Sequence, residues 1–381
     1  MKEICDTDIC TGCGLCVVNC PKHSISLEEQ GNLGHLYPLI DQDTCINCKL
    51  CQNNCPALHN LTKHDALAAY AAWSKDEEDY KSSSSGGAAS VLSQYVISNG
   101  GIVYGCAMLP DIEVKHIRVE EVKDLKKLKG SKYVQSSIVE IIPQLKEDIK
   151  QGHLTLFIGT PCQVAAIKSL YKAQPENLIL VDLICHGVPS LNLLQEHIKK
   201  VAPSPHYDHV SFRVGNDFFL IVTDNEIVIY KKSLFGPRYK EWYMNTFFDG
   251  YTYRPCCYQC PYAGPERITD ITIGDFWGLG QHLPVDDIPP HQNGCSVILP
   301  ISSKGEQLVN SITSMMNLYE RPIVEAIEGN SQLKAPVYLG KRKVFFRNMY
   351  PFIGKSAYYI VNADNILKYQ LQRILKRITR K

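Results

Sequence analysis

One pattern of cysteines is written twice near the start of the chain: Cys10-Thr-Gly-Cys13-Gly-Leu-Cys16-Val-Val-Asn-Cys20-Pro21, then Cys45-Ile-Asn-Cys48-Lys-Leu-Cys51-Gln-Asn-Asn-Cys55-Pro56. Three thiols at two-residue intervals can wrap a single iron-sulfur cubane, because the backbone curls round it. A fourth, three residues on and followed by Pro, points elsewhere. Paired zinc knuckles are the competing reading, since C-x2-C pairs also suit tetrahedral zinc. Four zinc ligands, however, call for neither the third step nor the Cys-Pro in both copies. The chain holds sixteen cysteines in all, and its start, Met1-Lys-Glu-Ile-Cys-Asp, lacks the apolar core of an export signal. Metal ligation rather than disulfide bonding is therefore expected of them.

Residues 1–60 resemble the two-cluster bacterial ferredoxins, in which the fourth cysteine of each run ligates the other cluster. The resemblance implies one [4Fe-4S] cluster on Cys10, Cys13, Cys16 and Cys55, and a second on Cys45, Cys48, Cys51 and Cys20. Cys5 stands outside both runs and reads as a bystander. A ferredoxin module moves single electrons and performs no substrate chemistry, so the remainder of the chain must use them.

That remainder is long. The chain has 381 residues, 45% hydrophobic and 21% charged, which fits a globular protein of more than one domain and excludes wholesale disorder. Forty Lys and Arg against thirty-nine Asp and Glu give a net charge of +1, too balanced for a whole-molecule nucleic-acid binder. No run of about 18 uncharged apolar residues is present, and the expected location is the cytoplasm.

Residues 61–81 read as a linker with one short apolar segment, Ala66 to Trp73, and a charged run, Lys75 to Asp79. Ser82 to Gly87 then feeds an Ala/Val/Leu-rich helix that ends at Gly100-Gly101, followed by a strand from Ile102. A Gly-rich turn opening a helix is a natural phosphate seat, although four serines before two glycines also suit a plain linker. Helical character returns over 122–129 and 137–151, with Pro143 bending the second helix or marking its start. Between them Lys132 and Tyr133, beside Gly130, suit either contact with an anionic, aromatic cofactor or a surface turn. Leu154 to Ile158 and Leu178 to Ile184 are continuous apolar runs, read as buried parallel strands joined by a helix. Cys162 and Cys185 follow their carboxyl ends. A right-handed crossover puts those ends on one sheet edge, so the two cysteines become neighbours. Phe212 to Lys232 reads as antiparallel, with a hairpin turn at Asp224-Asn225. Cys257 and Cys260 form a further C-x2-C pair, and with Cys162 and Cys185 they complete four thiolates. By spacing alone these are as well explained as core thiols or half a zinc site; Cys256 is an alternative to Cys257, and Cys106 and Cys295 read as core.

Residues 82 to about 335 resemble the beta subunit of coenzyme F-420 hydrogenases and dehydrogenases, a flavin and iron-sulfur family that includes 7-hydroxymethyl chlorophyll a reductase. The stretches that carry the resemblance are Ser84-Ser85-Gly86-Gly87, Gly130 to Gln135, Gly159-Thr-Pro-Cys162-Gln163, Cys185-His186-Gly187-Val-Pro189, and Arg254 to Cys260 with Asp270 to Gly278. The resemblance implies an FAD held by Ser84, Ser85, Gly86, Gly87, Lys132 and Tyr133, and a third [4Fe-4S] cluster on Cys162, Cys185, Cys257 and Cys260. The expected fold class is an α+β ferredoxin-like 2[4Fe-4S] module followed by an α/β flavin-binding domain with a mixed sheet. Its parts are 1–60, the linker 61–81, an FAD-binding part 82–152, an iron-sulfur and flavin part 153–335, and a tail 336–381. His186 is open to three roles: a proton donor, a hydrogen bond to the cluster, or a structural cap. A flavin couples paired electrons to single ones, which suits this set of parts.

The last forty-one residues, Lys341 to Lys381, hold eleven Lys or Arg and one acid, a local +10 that leaves the preceding residues at −9. From Ile366 to Ile378, Leu367, Tyr369, Leu371, Ile374 and Leu375 alternate with Lys368, Arg373, Lys376 and Arg377, ahead of Arg380, as in a basic amphipathic helix. Such a helix rests on an anionic membrane, here the inner face, or on an acidic partner, or packs on its own domain. Two functions remain. One is an oxidoreductase passing electrons between a ferredoxin or other redox protein and a small-molecule substrate or deazaflavin-like coenzyme. The other is a non-catalytic electron-transfer subunit of a larger complex. A redox sensor is a weaker third. No nucleic-acid partner is expected.

Overall fold

The structure, a computed structural model, describes residues 3–214, 217–233 and 241–378. The N-terminal module is built on an antiparallel ribbon, β1 (Ile25–Gln30) and β2 (His35–Ile40), paired from Ile25 with Ile40 to Gln30 with His35. Each cysteine run bends through two left-handed residues, Gly12 and Gly14 in the first and Asn47 and Lys49 in the second. Each closes in a one-turn helix, Leu15–Val18 or Leu50–Asn53. Left-handed steps of this kind turn backbone N–H groups into a concavity that favours an anion.

Residues 61–81 are not a linker. They supply β3 (Ala69–Ser74), which lies inside the main sheet between two partners, and a short helix, Glu77–Ser82, whose Asp79 is buried. The strand is inconspicuous in the sequence because Ala-Tyr-Ala-Ala-Trp-Ser has little β-branched character. Then come β4 (Ile102–Leu109), β5 (Glu113–Val119), β6 (Thr155–Gly159) and β7 (Leu178–Leu183). β8 (His209–Val214), β9 (Asp217–Asp224) and β10 (Ile227–Ser233) form a separate antiparallel sheet; Gly215 and Asn216, within the expected antiparallel stretch, lie outside the described residues. β11 (Ile271–Asp275), β12 (Ser296–Pro300) and β13 (Met316–Arg321) return to the main sheet, whose order is β13-β3-β12-β11-β7-β6-β4-β5.

The centre of that sheet, β11-β7-β6-β4, is parallel, and its flanks are antiparallel. A sheet covered on both faces explains why β6 and β7 read as unbroken apolar runs. Leu156, Ile158, Ile179 and Val181 face the side of helix Ala88–Ser98. Phe157, Leu178 and Leu180 face helices Ile142–Lys150 and Pro161–Lys168, and Leu15 of the N-terminal module joins that same core. Pro143 stands in the first turn of its helix and so marks the start rather than a bend. The expected division between 82–152 and 153–335 runs through one sheet, since β4 pairs with β6.

The C-terminal segment is not a loose tail either. Helix Lys341–Ile353 buries Phe346, and helix Ser356–Val361 buries Ala357 and Tyr358 in a core shared with Leu220 and Tyr251. Arg347 donates to the carbonyl of Tyr253 at 2.6 Å and lies over the Tyr258 ring. Helix Ala363–Ile378 leaves Leu367, Leu371 and Leu375 exposed at four-residue intervals. Arg380 lies outside the described residues. Among the described residues no helix is long and apolar enough to cross a membrane.

Candidate metal centres

The module holds two cysteine-lined cavities. Cys20, Cys45, Cys48 and Cys51 line the first, and Cys10, Cys13, Cys16 and Cys55 the second, so the last cysteine of each run has crossed to the other cavity. The crossing follows from the ribbon, which carries the chain from one end of the module to the other between the two runs. The two cavities differ in exposure: Cys48 is open to solvent, whereas Cys10 is buried. Cys20 accepts a hydrogen bond from the Ser24 N–H at 3.3 Å, a contact of the kind that tunes a cluster. Cys5, expected as a bystander, also lines the second cavity. Its thiol reaches Cys10 and Cys55 and, with the Arg254 charge, holds Cys10 near 6 against burial. Burial pushes the Cys13 thiol up to about 12, so loading this cavity with metal has to release protons.

A second set of sulfurs gathers where the parallel strands end. Cys162 stands in the first turn of helix Pro161–Lys168, whose start is locked by a reciprocal cap between Thr160 and Gln163. Cys185 lies just beyond β7, the parallel neighbour of β6, as the crossover requires. Cys257 belongs to the 3-10 turn Pro255–Gln259, and Cys260 follows it. Each of Cys162, Cys185 and Cys260 feels the charge of Cys257. Cys256, the alternative to Cys257, touches Cys257 and is buried beside it. Burial pushes Cys162 up to about 12 and Cys185 well above its ordinary value. Such thiols ionise only when a cation arrives.

Cys13, Cys162, Cys260 and Tyr262 pack into one apolar core, so this quartet adjoins the second cavity of the module. The Tyr262 phenol lies within reach of the charges of both groups, Cys162 and Cys260 as well as Cys13 and Cys55. Arg254 spans the same gap. It donates to the Cys10 carbonyl at 2.7 Å and to Gln135 at 3.1 Å, while its own backbone carbonyl accepts from the Cys257 N–H. Gln135 in turn donates to the Thr11 carbonyl, and its N–H bonds Pro189, two residues past Gly187. Roles for Arg254, Gln135 and Tyr262 were not legible as motifs. The one hint was Gly12, where a Cβ would come within 2.5 Å of the Arg254 guanidinium.

The residues expected to hold FAD meet at the same sheet edge. Ser84 accepts from the Ser131 N–H at 2.9 Å, which joins the Ser/Gly turn to the Lys132 turn. Gly86 is pressed against the backbone of β3, where a Cβ would fall 1.9 Å from the Ala72 carbonyl oxygen. Among the described residues, the Ser85 hydroxyl is buried without a partner. Lys132 donates to the carbonyls of Leu128 and Lys129, and burial brings its ammonium down to about 8. Tyr133 packs among Phe212, Phe218, Phe247 and Phe248. The start of helix Ala88–Ser98 is not an open phosphate seat. The buried Asp79 carboxylate lies beside Gly87, accepts from the Ser90 hydroxyl and pairs with Lys129 at 2.7 Å. The Asp79–Lys129 pair takes up the space beside Gly87 that a dinucleotide diphosphate would need there. The orphaned Ser85 hydroxyl, Lys132 and the aromatic wall suit a flavin lying along the edge. His186 is exposed at that edge and makes no hydrogen bond among the described residues. Partial enclosure lowers its basicity, and nearby Asp275, held by Arg213 at 2.8 Å, opposes this.

Residues 9–58 match the family model of the 4Fe-4S dicluster domain, and residues 153–326 match the model for the C terminus of the coenzyme F420 hydrogenase/dehydrogenase beta subunit. The first match removes the zinc-knuckle reading. No curated protein matches the chain. Among solved structures, a chain of the F420-reducing [NiFe] hydrogenase complex from Methanosarcina barkeri, studied by xenon derivatization, is 18% identical. That alignment covers 71% of this chain and 91% of that one, with a TM-score of 0.47.

Proposed function

We propose, for a chain whose residues 153–326 belong to the coenzyme F420 hydrogenase/dehydrogenase beta-subunit family behind a 4Fe-4S dicluster domain, that it is a flavin-dependent iron-sulfur oxidoreductase. One observation carries this reading: the quartet Cys162, Cys185, Cys257 and Cys260 adjoins the inner cavity of the module and borders the sheet edge where Lys132, Tyr133 and His186 gather. The eight module cysteines would hold two [4Fe-4S] clusters, and the third quartet a further one. Electrons then enter at the exposed cavity with Cys48, pass the buried cavity with Cys10, and arrive beside the edge. Cysteinate donors in fours suit such clusters.

A flavin bound at that edge supplies the exchange between single and paired electrons. The chain's own groups would bind and orient it. Ser85 offers an unused hydroxyl and Lys132 a cation, Tyr133 and its phenylalanines wall off water, and Asp79 keeps the diphosphate away from the helix start. His186, open to solvent and close to Asp275, is the group we assign to proton exchange with an organic substrate or deazaflavin-like coenzyme. The test is the flavin released from anaerobically purified chain. About one per chain is expected if a single edge site is filled. Chain with all its iron and no flavin would instead be an electron-transfer subunit.

We further assign the exposed leucines of helix Ala363–Ile378, with the +10 charge of the last forty-one residues, to an anionic lipid surface. The chain should sediment with phosphatidylserine vesicles at low salt and not when it ends before Ala363; equal sedimentation contradicts this.

A further inference from the structure

Arg254 carries a charge that no carboxylate balances. Its side chain is wholly buried. Its donors go to the carbonyls of Cys10 and Leu36, to the Gln135 side chain, and at 3.9 Å to the Cys10 sulfur, with the Tyr37 ring 4.2 Å away. Among the described residues no Asp or Glu lies within ion-pair distance of it. A guanidinium does not give up its proton inside a protein, and an unpaired buried charge is strongly unfavourable. The anion facing it lies on the cysteine side: the Cys10 thiolate, and with it the cluster that thiolate would hold.

Arg254 stands close to cysteines of both quartets. Cys10 of the inner module cavity lies against its donors. Its backbone begins the turn that carries Cys257, and its charge acts on Cys162 and Cys257. Cys20, Cys45, Cys48 and Cys51 make no contact with it.

We propose that Arg254 is the shared counter-ion of two clusters, the one on Cys10, Cys13, Cys16 and Cys55 and the one on Cys162, Cys185, Cys257 and Cys260. It acts as a positioning residue that raises both reduction potentials together. Each one-electron reduction adds one negative charge beside the guanidinium, and no bond is made or broken. The cation favours the reduced form on both sides. The outer cluster, on Cys20, Cys45, Cys48 and Cys51, serves as an internal reference.

This rests on the third cluster proposed above, and a wild-type iron count near eight rather than twelve, at about four per cluster, would identify a failure of that reading rather than of Arg254. The test is a redox titration of the full, anaerobically purified chain followed by electron paramagnetic resonance, in wild type, Arg254→Met and Arg254→Lys. In Arg254→Met two clusters should each lose roughly tenfold or more in reduction equilibrium, about 59 mV for one electron. The third should stay in place, and Arg254→Lys should restore most of the loss. A shift in one cluster alone, or in none, overturns the proposal. Should Arg254→Met fail to hold iron, a fully loaded Arg254→Lys with wild-type potentials supports the need for charge. An equally empty Arg254→Lys marks the residue as a folding contact and overturns the proposal.

Discussion

The two cysteine runs are copies of one loop in opposite surroundings. In the first, the left-handed positions are Gly12 and Gly14, and a Cβ on either would collide: 2.5 Å from Arg254 in one case, 2.2 Å from Val139 in the other. In the second, the same positions are Asn47 and Lys49, with side chains that the docked copy has no room for. Glycine here reports contact more than backbone freedom, since Asn and Lys reach the same conformation. The contrast suits the direction proposed above, in which the copy pressed against the α/β body would hand electrons inward and the copy facing solvent, with Cys48, Ile46 and Leu50 exposed, would receive them.

The harshest way to break this comparison is Cys48→Ser. It should leave about eight irons, at four per cluster, and abolish reduction by a protein donor such as ferredoxin while a small reductant such as dithionite still reduces the rest. If ferredoxin reduces the variant at the wild-type rate, electrons do not enter there. Gly12→Ala against Asn47→Ala comes next. The first adds left-handed strain and a clash with Arg254, a cost of about 2–5 kcal/mol; the second should cost about 1 kcal/mol or less. The readout is the guanidinium concentration at which cluster absorbance is lost, and equal midpoints would mean that the two copies are not in different surroundings.

The smallest effect sharpens the contrast between module and body. At the far edge of the sheet, Glu325 is buried and paired with Arg321 at 2.8 Å. Burial pushes its carboxyl up, but Arg321 and the N–H groups of His282 and Leu283 more than offset that and hold it at about 2. Its ordinary value is 4.5. The carboxylate therefore contributes its full stabilisation above pH 4.5, and loses it as pH falls through about 2. That contribution is about 3 kcal/mol at one pKa unit per 1.36 kcal/mol. Glu325→Gln should flatten the acid limb of the unfolding curve of the body and leave the cluster absorbance of the module unchanged above pH 5.

Legibility followed the same divide. The module's ligands are adjacent in sequence, so spacing names Cys10 to Cys55, while the crossed pairing is what the resemblance to two-cluster ferredoxins implies. β6, β7 and the neighbouring positions of Cys162 and Cys185 were also readable, because a buried parallel strand is an apolar run and a crossover has one hand. β3 was not, because an alanine-rich strand owes its place to its partners β12 and β13 rather than to its own preference. Phe346 and Tyr358 were hidden in a segment that reads as a basic tail, since charge counts do not reveal which apolar residues find a core. Arg254 opens one of the stretches that carry the family resemblance, but nothing in the sequence assigned it a role. What makes it unusual is the absence of an acid beside it, a property of three dimensions. Asp79, inside a charged run that looks like a solvated turn, is buried at the start of a helix, and its position changes where a phosphate can sit.

The most direct measurement is iron per chain in anaerobically purified wild type, Cys185→Ser and Cys256→Ser, side by side. Three cysteine quartets in series predict about twelve, eight and twelve, at four irons per cluster. About eight in all three would leave the module as the only iron-sulfur centre and contradict the account.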